Sequence, residues 1–535
     1  MKARALALLA LVSLLIFLPG QALLPPIDRD EPRYAQATAQ MLESGNFIDV
    51  RFQDQPRYLQ PAGIYWLQAA SVTLLGGEDR EIWKHRAVSL VAAIASVVLT
   101  ALLGARLFGP QAGLLAGALL ASSLLLGFEA HLAKIDATLL AVILAAQLGL
   151  AAVRLGKPAR WAPWLFWAAF GVGVMLKGPL IALVLLGTLA ALAITERQVG
   201  WMRGLRPLWG GLIVVAIALP WLVAIGVLSH GDFFSRAVGH NFAGKLAHGQ
   251  QAHGAPPGTY LALFWFTFWP GCLLALRSLG WVWRSRGDAR VRFLLCWIVP
   301  SWLVFEAVAT KLPHYVLPTY PAIAMLAAAG LLAPGGWAFR PWQRWVFGVF
   351  VALWLAVGLA VTIGPPALLW WFQGVLPPLA VLLALLGLAL GAATLRAVLA
   401  GQGQRAVGLG LALALVVAFN AYHQTLPRIR TMWLSPRIAT LVAQTRPCPD
   451  SVLASTAFSE PSLVYLVGTD TKLVGVPEAA AFLKAGACNL ALVDARQRAA
   501  FLAALGGVQP RALGQVDGIN YSTGKRLELT LYAGS

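Results

Sequence analysis

Stretches of apolar residues of bilayer-crossing length recur almost from one end of the sequence to the other. They fall near residues 5–23, 88–105, 112–128, 137–153, 161–176, 178–195, 209–228, 259–283, 293–310, 316–334, 343–363, 373–395 and 406–423. A membrane-spanning helix needs about 20 such residues, because the backbone must satisfy its own polar groups across about 30 Å of hydrocarbon. The sequence therefore predicts about thirteen spanning helices and excludes a soluble globular fold. Composition agrees: 59% of the residues are hydrophobic, 12% are charged and the mean hydropathy is +0.71, whereas soluble domains carry about 25% charged residues. The first run follows Lys2 and Arg4 and also resembles a secretory signal, with Gly20-Gln21-Ala22 as a weak cleavage site. A retained span is the preferred reading.

The formal charge of +19 and the pI of about 10.3 would suit a nucleic-acid protein if the basic residues formed a stripe or a tail. They do not; they sit in short clusters between apolar runs, so no nucleic-acid partner is expected. With a cytoplasmic N-terminus, the inner loops hold Arg106; Arg154, Lys157 and Arg160; Arg197, Arg203 and Arg206; five arginines from Arg277 to Arg292; Arg340 and Arg344; and Arg396 and Arg405. That is the positive-inside pattern at every return. Trp161, Trp164, Trp167, Trp201, Trp209, Trp342 and Trp345 lie near the ends of apolar runs, where an amphipathic ring suits the headgroup layer. The opposite loops are residues 24–87, 129–136, the Lys177-Gly178-Pro179 turn, 229–258, 311–315 and the tail from about 426. These are richer in Asp, Glu, His and Pro, and chemistry is expected there.

The organisation is thus a transmembrane domain over residues 1–425, with a long first outer loop at 24–87, and a small α/β domain over 426–535. In the tail, short β-like runs such as 451–454 and 490–493 alternate with helix-like ones at 479–484 and 496–505. Residues 518–521 with Gly524 and Lys525 form a plausible hairpin loop. Cys272 and Cys296 lie in apolar runs, while Cys448 and Cys488 fall in the polar tail and could pair if it lies outside the cytoplasm.

The first outer loop is unusually polar. It reads Asp28-Arg29-Asp30-Glu31-Pro32-Arg33-Tyr34-Ala35, then Met41-Leu42-Glu43-Ser44-Gly45, then Pro56-Arg57-Tyr58-Leu59-Gln60-Pro61 ahead of Tyr65-Trp66. Residues 32–44 place Tyr34, Ala37, Met41 and Leu42 on one face, as in a short amphipathic helix lying on the membrane surface. Asp30 and Glu31 then begin that helix, where acids are favoured simply as caps. The second loop packs Glu129, His131, Lys134 and Asp136 into eight residues at the end of two spans, which is costly unless they face water or one another. A Lys134–Asp136 surface pair is the plain explanation. Lys177 is a lone cation between two apolar runs. His240 and Asn241, with Lys245, His248 and His253, invite a metal reading, but their spacing is irregular and Asp232 is the only acid nearby. No metal ligand is assigned. Last comes Lys311-Leu312-Pro313-His314-Tyr315, followed by Leu317-Pro318 and Tyr320-Pro321, where a lysine could snorkel harmlessly.

In this order these motifs resemble the aminoarabinose transferase and protein mannosyltransferase superfamily, bacterial polyprenyl-phosphate-sugar glycosyltransferases of the GT-C fold. The resemblance covers roughly residues 1–425. It implies an α-helical polytopic membrane bundle with an active site facing the periplasm of an inner membrane, and Asp30, with Glu31 beside it, as the catalytic carboxylate. The donor it implies is a polyprenyl-phosphate-linked sugar of aminoarabinose, mannose or uronic-acid type. The implied acceptor is lipid A, lipopolysaccharide or another lipid. A departing polyprenyl phosphate needs cations, for which Lys177, Lys134, Arg57, Arg33 and Lys311 are candidates. Tyr34, Tyr58, Gln60, Asp136, His240, Asn241, His314 and Tyr315 complete the expected binding set. For a hydroxyl acceptor, Asp30 would take the proton; for a lipid phosphate, it would orient the acceptor or hold a divalent cation. One departure bears on the sugar: where relatives of the aminoarabinose type carry Glu-Lys-Pro, this chain has Leu59-Gln60-Pro61.

Two other enzyme or membrane classes compete. A protein O-mannosyltransferase would share the helical core and differ in acceptor. A lipid-linked-sugar transporter would place ionisable groups near the midplane on paired, broken helices, and no paired halves are visible. A tail that binds on its own would need one anchoring span.

Overall fold

The computed structural model describes residues 2–155, 159–237, 255–334 and 341–534. Helices α1 (Ala3–Phe17), α2 (Asp30–Ser44), α3 (Gly63–Leu75), α4 (Ile82–Phe108), α5 (Pro110–Ser122), α6 (Leu124–Ala130), α7 (Asp136–Arg154), α8 (Ala162–Lys177), α9 (Pro179–Glu196) and α10 (Pro207–Leu228) form the first half of the bundle. Among the described residues eight helices are long and apolar enough to cross a membrane, nine if α5 and α6, bent by 65°, count as one.

The difference from thirteen has local causes. The first and fifth expected runs are helices of 15 and 16 residues, about 24 Å long at 1.5 Å per residue and so short of the hydrocarbon thickness. The run at 259–283 is split into Thr259–Thr267 and Cys272–Arg284 around Pro270, which has no N–H to continue the ladder. The run at 112–128 breaks at Ser123, whose backbone is extended, and the run at 293–310 lies in a helix, Ala289–Ala307, that carries Arg290, Arg292 and Glu306.

Small residues let the early helices approach closely. A Cβ on Gly113 of α5 would lie 2.6 Å from the backbone nitrogen of Ala105 in α4, and one on Gly63 of α3 would lie 2.6 Å from the carbonyl oxygen of Met175 in α8. Such contacts drive packing where lipid offers no hydrophobic advantage. Contacts between loops sort the returns into two sets. At one end Arg154 pairs with Glu196, Arg292 lies 3.9 Å from the same carboxylate, and Arg290 donates to Leu107 O. At the other end the first outer loop, residues 131–135, Lys177 and residues 308–319 come together.

The tail forms a mixed sheet ordered β4 (Lys472–Leu473), β3 (Leu453–Ser455), β5 (Leu490–Asp494), β7 (Lys525–Ala533), β6 (Arg511–Asn520); β3 is parallel to β4 and β5, and the rest is antiparallel. Every residue of β5 is buried, as suits a strand covered on both faces. Cys448 and Cys488 are joined as a disulfide. The hairpin expected at 518–525 is present, linking β6 and β7.

The tail does not stand apart. Helix α2 is not a surface helix: nine of its residues, Glu31 to Met41, are buried, because the tail covers the face turned away from the bundle. Asp28, just before α2, accepts from Ser462 N at 3.0 Å and Ser462 Oγ at 2.7 Å. Tyr521 Oη lies 3.4 Å from the same carboxylate and accepts from Asp28 N at 2.7 Å.

Burial pushes the Asp28 carboxyl up to about 7, the Ser462 donors opposing the rise and the Glu460 charge adding to it. Between its unfolded value near 4 and about 7, the folded protein therefore holds a proton that the unfolded chain has lost, and stability falls as pH rises. The expected outcome is that the melting temperature of Asp28→Asn gains on that of the parent protein from pH 5 to pH 7 and runs parallel above it. Differential scanning fluorimetry across that range checks this, and a constant difference would refute it.

Candidate active site

Asp30 and Glu31 occupy the first turn of α2, where carboxylates suit the positive end of the helix dipole, and Gly45 in the left-handed conformation ends the helix. Consecutive residues point about 100° apart on a helix, and the two acids take opposite surroundings. The Asp30 side chain is 56% exposed, with Arg33 Nη1 3.9 Å away. Glu31 is 1% exposed and forms a bidentate pair with Arg86 of α4, at 2.7 and 2.8 Å. Its oxygens also accept from Ile27 N at 2.7 Å and Ala133 N at 2.8 Å. Glu31 is thus a tether rather than the reacting acid that its neighbourhood to Asp30 suggests.

Arg86 was hidden in the sequence by its place at the start of an apolar run. It is fully buried and donates further to the carbonyls of Gln21, Leu24 and Pro25 at 2.8, 2.6 and 3.0 Å. The ionisable trio Lys84-His85-Arg86 ahead of the largely apolar stretch 87–105 is the available signal, since ionisable groups in a span are costly unless used.

Beside Asp30 lies an aromatic and polar shelf. Tyr34 stacks on Tyr65 with centroids 5.7 Å apart and donates to Gln60 Oε1 at 3.1 Å. The Arg57 guanidinium lies over the Tyr34 ring at 5.0 Å and donates from Nε to Tyr65 Oη at 3.0 Å. Tyr65, absent from the expected set, therefore ties Arg57 and Tyr34 together. Burial, then the Arg57 charge, lowers the pKa of Arg33 from its ordinary value, so two guanidiniums are held near each other.

The second half of the site is a knot of opposite charges. Asp136 Oδ1 is 2.5 Å from Lys177 Nζ, and its Oδ2 is 3.7 Å from Lys134 Nζ. Lys134 lies 3.4 Å from the Glu129 carboxylate. His314 stands between the two acids, with Nδ1 3.6 Å from Glu129 and Nε2 3.7 Å from Asp136. Lys177 also lies 5.7 Å from the centre of the Tyr315 ring. Asp30 lies within electrostatic reach of Lys134, Arg57 and Tyr315, so the shelf and the knot belong to one site. Glu129, Lys134 and His314 also line the polar end of an apolar cavity of about 540 Å³, whose walls include Leu125, Phe128, Leu263, Val361 and Val417.

Two expected residues lie elsewhere in the arrangement. Tyr58 donates to Asp49 at 2.8 Å and packs edge-on against Phe233, holding the loop around β1 (Arg51–Phe52) and β2 (Gln55–Pro56). Lys311 turns back on its own loop and donates to Val308 O at 2.8 Å. His240, Asn241, Lys245, His248 and His253 lie outside the described residues. Glu129, Asp136 and His314 bring their ligand atoms within 4.8 Å of one another. Two carboxylates and an imidazole are donors that a first-row divalent ion accepts. Lys134 and Lys177 already neutralise these acids, however, and a cation there would have to displace them, so the residues present do not favour a metal.

A multi-pass bundle thus gathers acids and cations over an apolar cavity at one end, with a small α/β unit packed on α2. Residues 59–223 match the family described as dolichyl-phosphate-mannose-protein mannosyltransferase. The undecaprenyl phosphate-aminoarabinose arabinosyl transferase of Pectobacterium carotovorum is 29% identical over 381 residues, 67% of this chain and 66% of the relative. The first such enzyme of Pseudomonas fluorescens is 30% identical over 312 residues, 56% and 52% of the two chains. The match thus spans just under two-thirds of the first relative and about half of the second. In fold the chain superposes on ArnT from Cupriavidus metallidurans bound to undecaprenyl phosphate with a TM-score of 0.78, 17% identity and coverage of 99% and 98%. The chain thus shares its fold with this structure and is similar in sequence, over part of its length, to the aminoarabinose transferases and to the protein mannosyltransferase family.

The buried Glu31–Arg86 pair generates a prediction. Removing one partner leaves an uncompensated buried charge, at about 3–5 kcal/mol, and also orphans the three carbonyls that Arg86 serves. Arg86→Met is expected to lower the melting temperature in detergent strongly and to broaden the gel-filtration peak. A folded, monodisperse variant of unchanged melting temperature would refute the tethering role.

Proposed function

We propose that this protein is an inverting glycosyltransferase of the inner membrane, moving one sugar from a polyprenyl-phosphate carrier to a lipid or lipopolysaccharide acceptor on the periplasmic side. The observation that carries the reading is an exposed carboxylate, Asp30, within electrostatic reach of Lys134, which joins the Asp136–Lys177 knot to the polar end of an apolar cavity. A donor with an apolar tail and an anionic head suits this pairing: tail in the cavity, phosphate among the cations. The names of the relatives support a polyprenyl-phosphate donor, and the tail disulfide supports an oxidising compartment.

The chemistry follows from charge. An acceptor oxygen attacks the anomeric carbon from the face opposite the phosphate, forming the new glycosidic bond as the old carbon–oxygen bond breaks. The departing phosphate gains a negative charge, which Lys134 and Lys177 stabilise. If the acceptor is a hydroxyl, its proton passes to Asp30; if it is a phosphate, Asp30 and Arg33 orient it. Gln60, bonded to Tyr34 and 3.4 Å from Tyr65 Oη, lines the shelf as a neutral group, so the sugar recognised there need not carry the charge that a Glu-Lys pair would meet. The match to a protein mannosyltransferase family over residues 59–223 favours one second reading, with Ser or Thr of a protein as acceptor.

Asp30→Asn is expected to abolish transfer in isolated membranes while leaving expression intact; undiminished transfer would refute its role. Labelled polyprenyl-phosphate sugar should deliver label to lipid, and label in protein would move the assignment to the second reading. Because two lysines hold the acids of the knot, treatment with EDTA should leave the rate unchanged. A loss restored by added Mn²⁺ would make Glu129, Asp136 and His314 metal ligands.

A further inference from the structure

The helix that carries Asp30 has no rigid covalent support. Loop precedes it at residues 18–29 and follows it at 45–50. Its position is set by what packs on its two sides. Beneath it, Glu31 is bolted to Arg86. Above it sits the tail.

The contacts from the tail are polar, mostly half-buried and specific. Asp28 receives Ser462 N and Oγ and the Tyr521 hydroxyl. The next residue, Arg29, pairs with Glu460 at 3.5 Å, and Glu460 accepts from Asn520 at 2.9 Å. Arg80, in the link between α3 and α4, gathers both sides of the junction. It donates to Gln36 Oε1 and Glu43 Oε1 of α2 at 2.9 and 2.5 Å, and to Thr469 Oγ1 and Tyr465 O of the tail at 2.8 and 2.5 Å. The fully buried Tyr465 side chain enters a cluster with Ala35 of α2, Ile82 of α4 and Ala133 of the second outer loop. The helix Pro461–Val467 is therefore wedged between α2 and α4, touching the same three segments that Glu31 ties together from below.

We infer that the C-terminal α/β unit is a working part of the active site, its grip on Asp28 and Arg80 fixing where α2 presents the Asp30 carboxylate to the Lys134–Lys177 cations. Asp28 and Arg80 are positioning residues; neither touches the reacting atoms. This rests on the proposed role of Asp30. A displacement of about 1 Å at a reacting group can cost about 100-fold in rate, and releasing one end of α2 acts directly on that distance.

The test uses the full-length protein in membranes or detergent, with labelled polyprenyl-phosphate sugar as donor. Asp28→Ala and Arg80→Ala are expected to lower kcat at least about tenfold with the donor KM within about twofold, while Asp28→Asn and Arg80→Lys, which keep part of the hydrogen bonding, recover most of it. If Asp28→Ala does not fold, Tyr521→Phe at the rim of the junction should show the same selective loss of kcat. Folded variants with unchanged kcat would overturn the inference, as would a rise in acceptor KM alone, which would make the tail an acceptor-binding surface. Asp30→Asn run alongside separates the two levels: an active Asp30→Asn removes the proposed function itself, whereas an inactive one beside fully active Asp28 and Arg80 variants removes only the positioning role.

Discussion

The end of the bundle that carries Asp30 depends on one buried ion pair. A carboxylate and a guanidinium out of water are unfavourable unless each of their hydrogen-bonding groups is met, and Glu31 and Arg86 meet that condition by recruiting backbone from two separate loops. The carbonyls of Gln21, Leu24 and Pro25 and the amides of Ile27 and Ala133 all close on the pair. The loop after α1, the start of α2, the second turn of α4 and the loop before α7 are thereby fastened at one point. Asp30 owes its exposure to the same arrangement, because fixing Glu31 inward turns its predecessor outward.

Around that anchor the remaining charges interleave. Glu129, Lys134, Asp136 and Lys177 alternate in sign at 2.5 to 3.7 Å, with His314 set between the two acids, an arrangement that lowers the cost of holding ionisable groups at the edge of hydrocarbon. It also gives the lysines a choice. Each ammonium that faces a carboxylate at rest has further N–H groups to offer an arriving anion, and the carboxylates keep mutually repelling cations close together. The apolar cavity below the knot adds the other half of an amphiphilic ligand's requirements.

Much of this was legible in the sequence, and the exceptions have physical reasons. Hydropathy alone located the helices, and the distribution of arginines separated the two ends, because both signals are local. The short loops were legible because charged residues beside spans demand an explanation; Lys134, Asp136, Lys177 and His314 do meet. What local patterning could not reveal is which way a residue faces once tertiary contacts act: the division of labour between Asp30 and Glu31, or the turn of Lys311 onto Val308. Arg86 was masked by the apolar residues that follow it. The seating of Tyr465 among Ala35, Ile82 and Ala133 joins positions more than 300 residues apart in the sequence, and no periodicity reports on such a contact. The spans that broke did so at Pro270 and Ser123, of which only the first carries a signal.

The junction between Asp28 and the tail joins residues separated by 434 and 493 positions along the chain. Its partners Ser462 and Tyr521 leave the ribosome long after Asp28 has been made. The helix bearing Asp30 is therefore held from one side only until the β6–β7 hairpin has been made and folded. A chain that stops early has every membrane helix and every charged side chain of the site, yet lacks the piece that holds them in register. The helix bearing Asp30 is supported on both sides only once the hairpin of β6 and β7 has folded against Asp28.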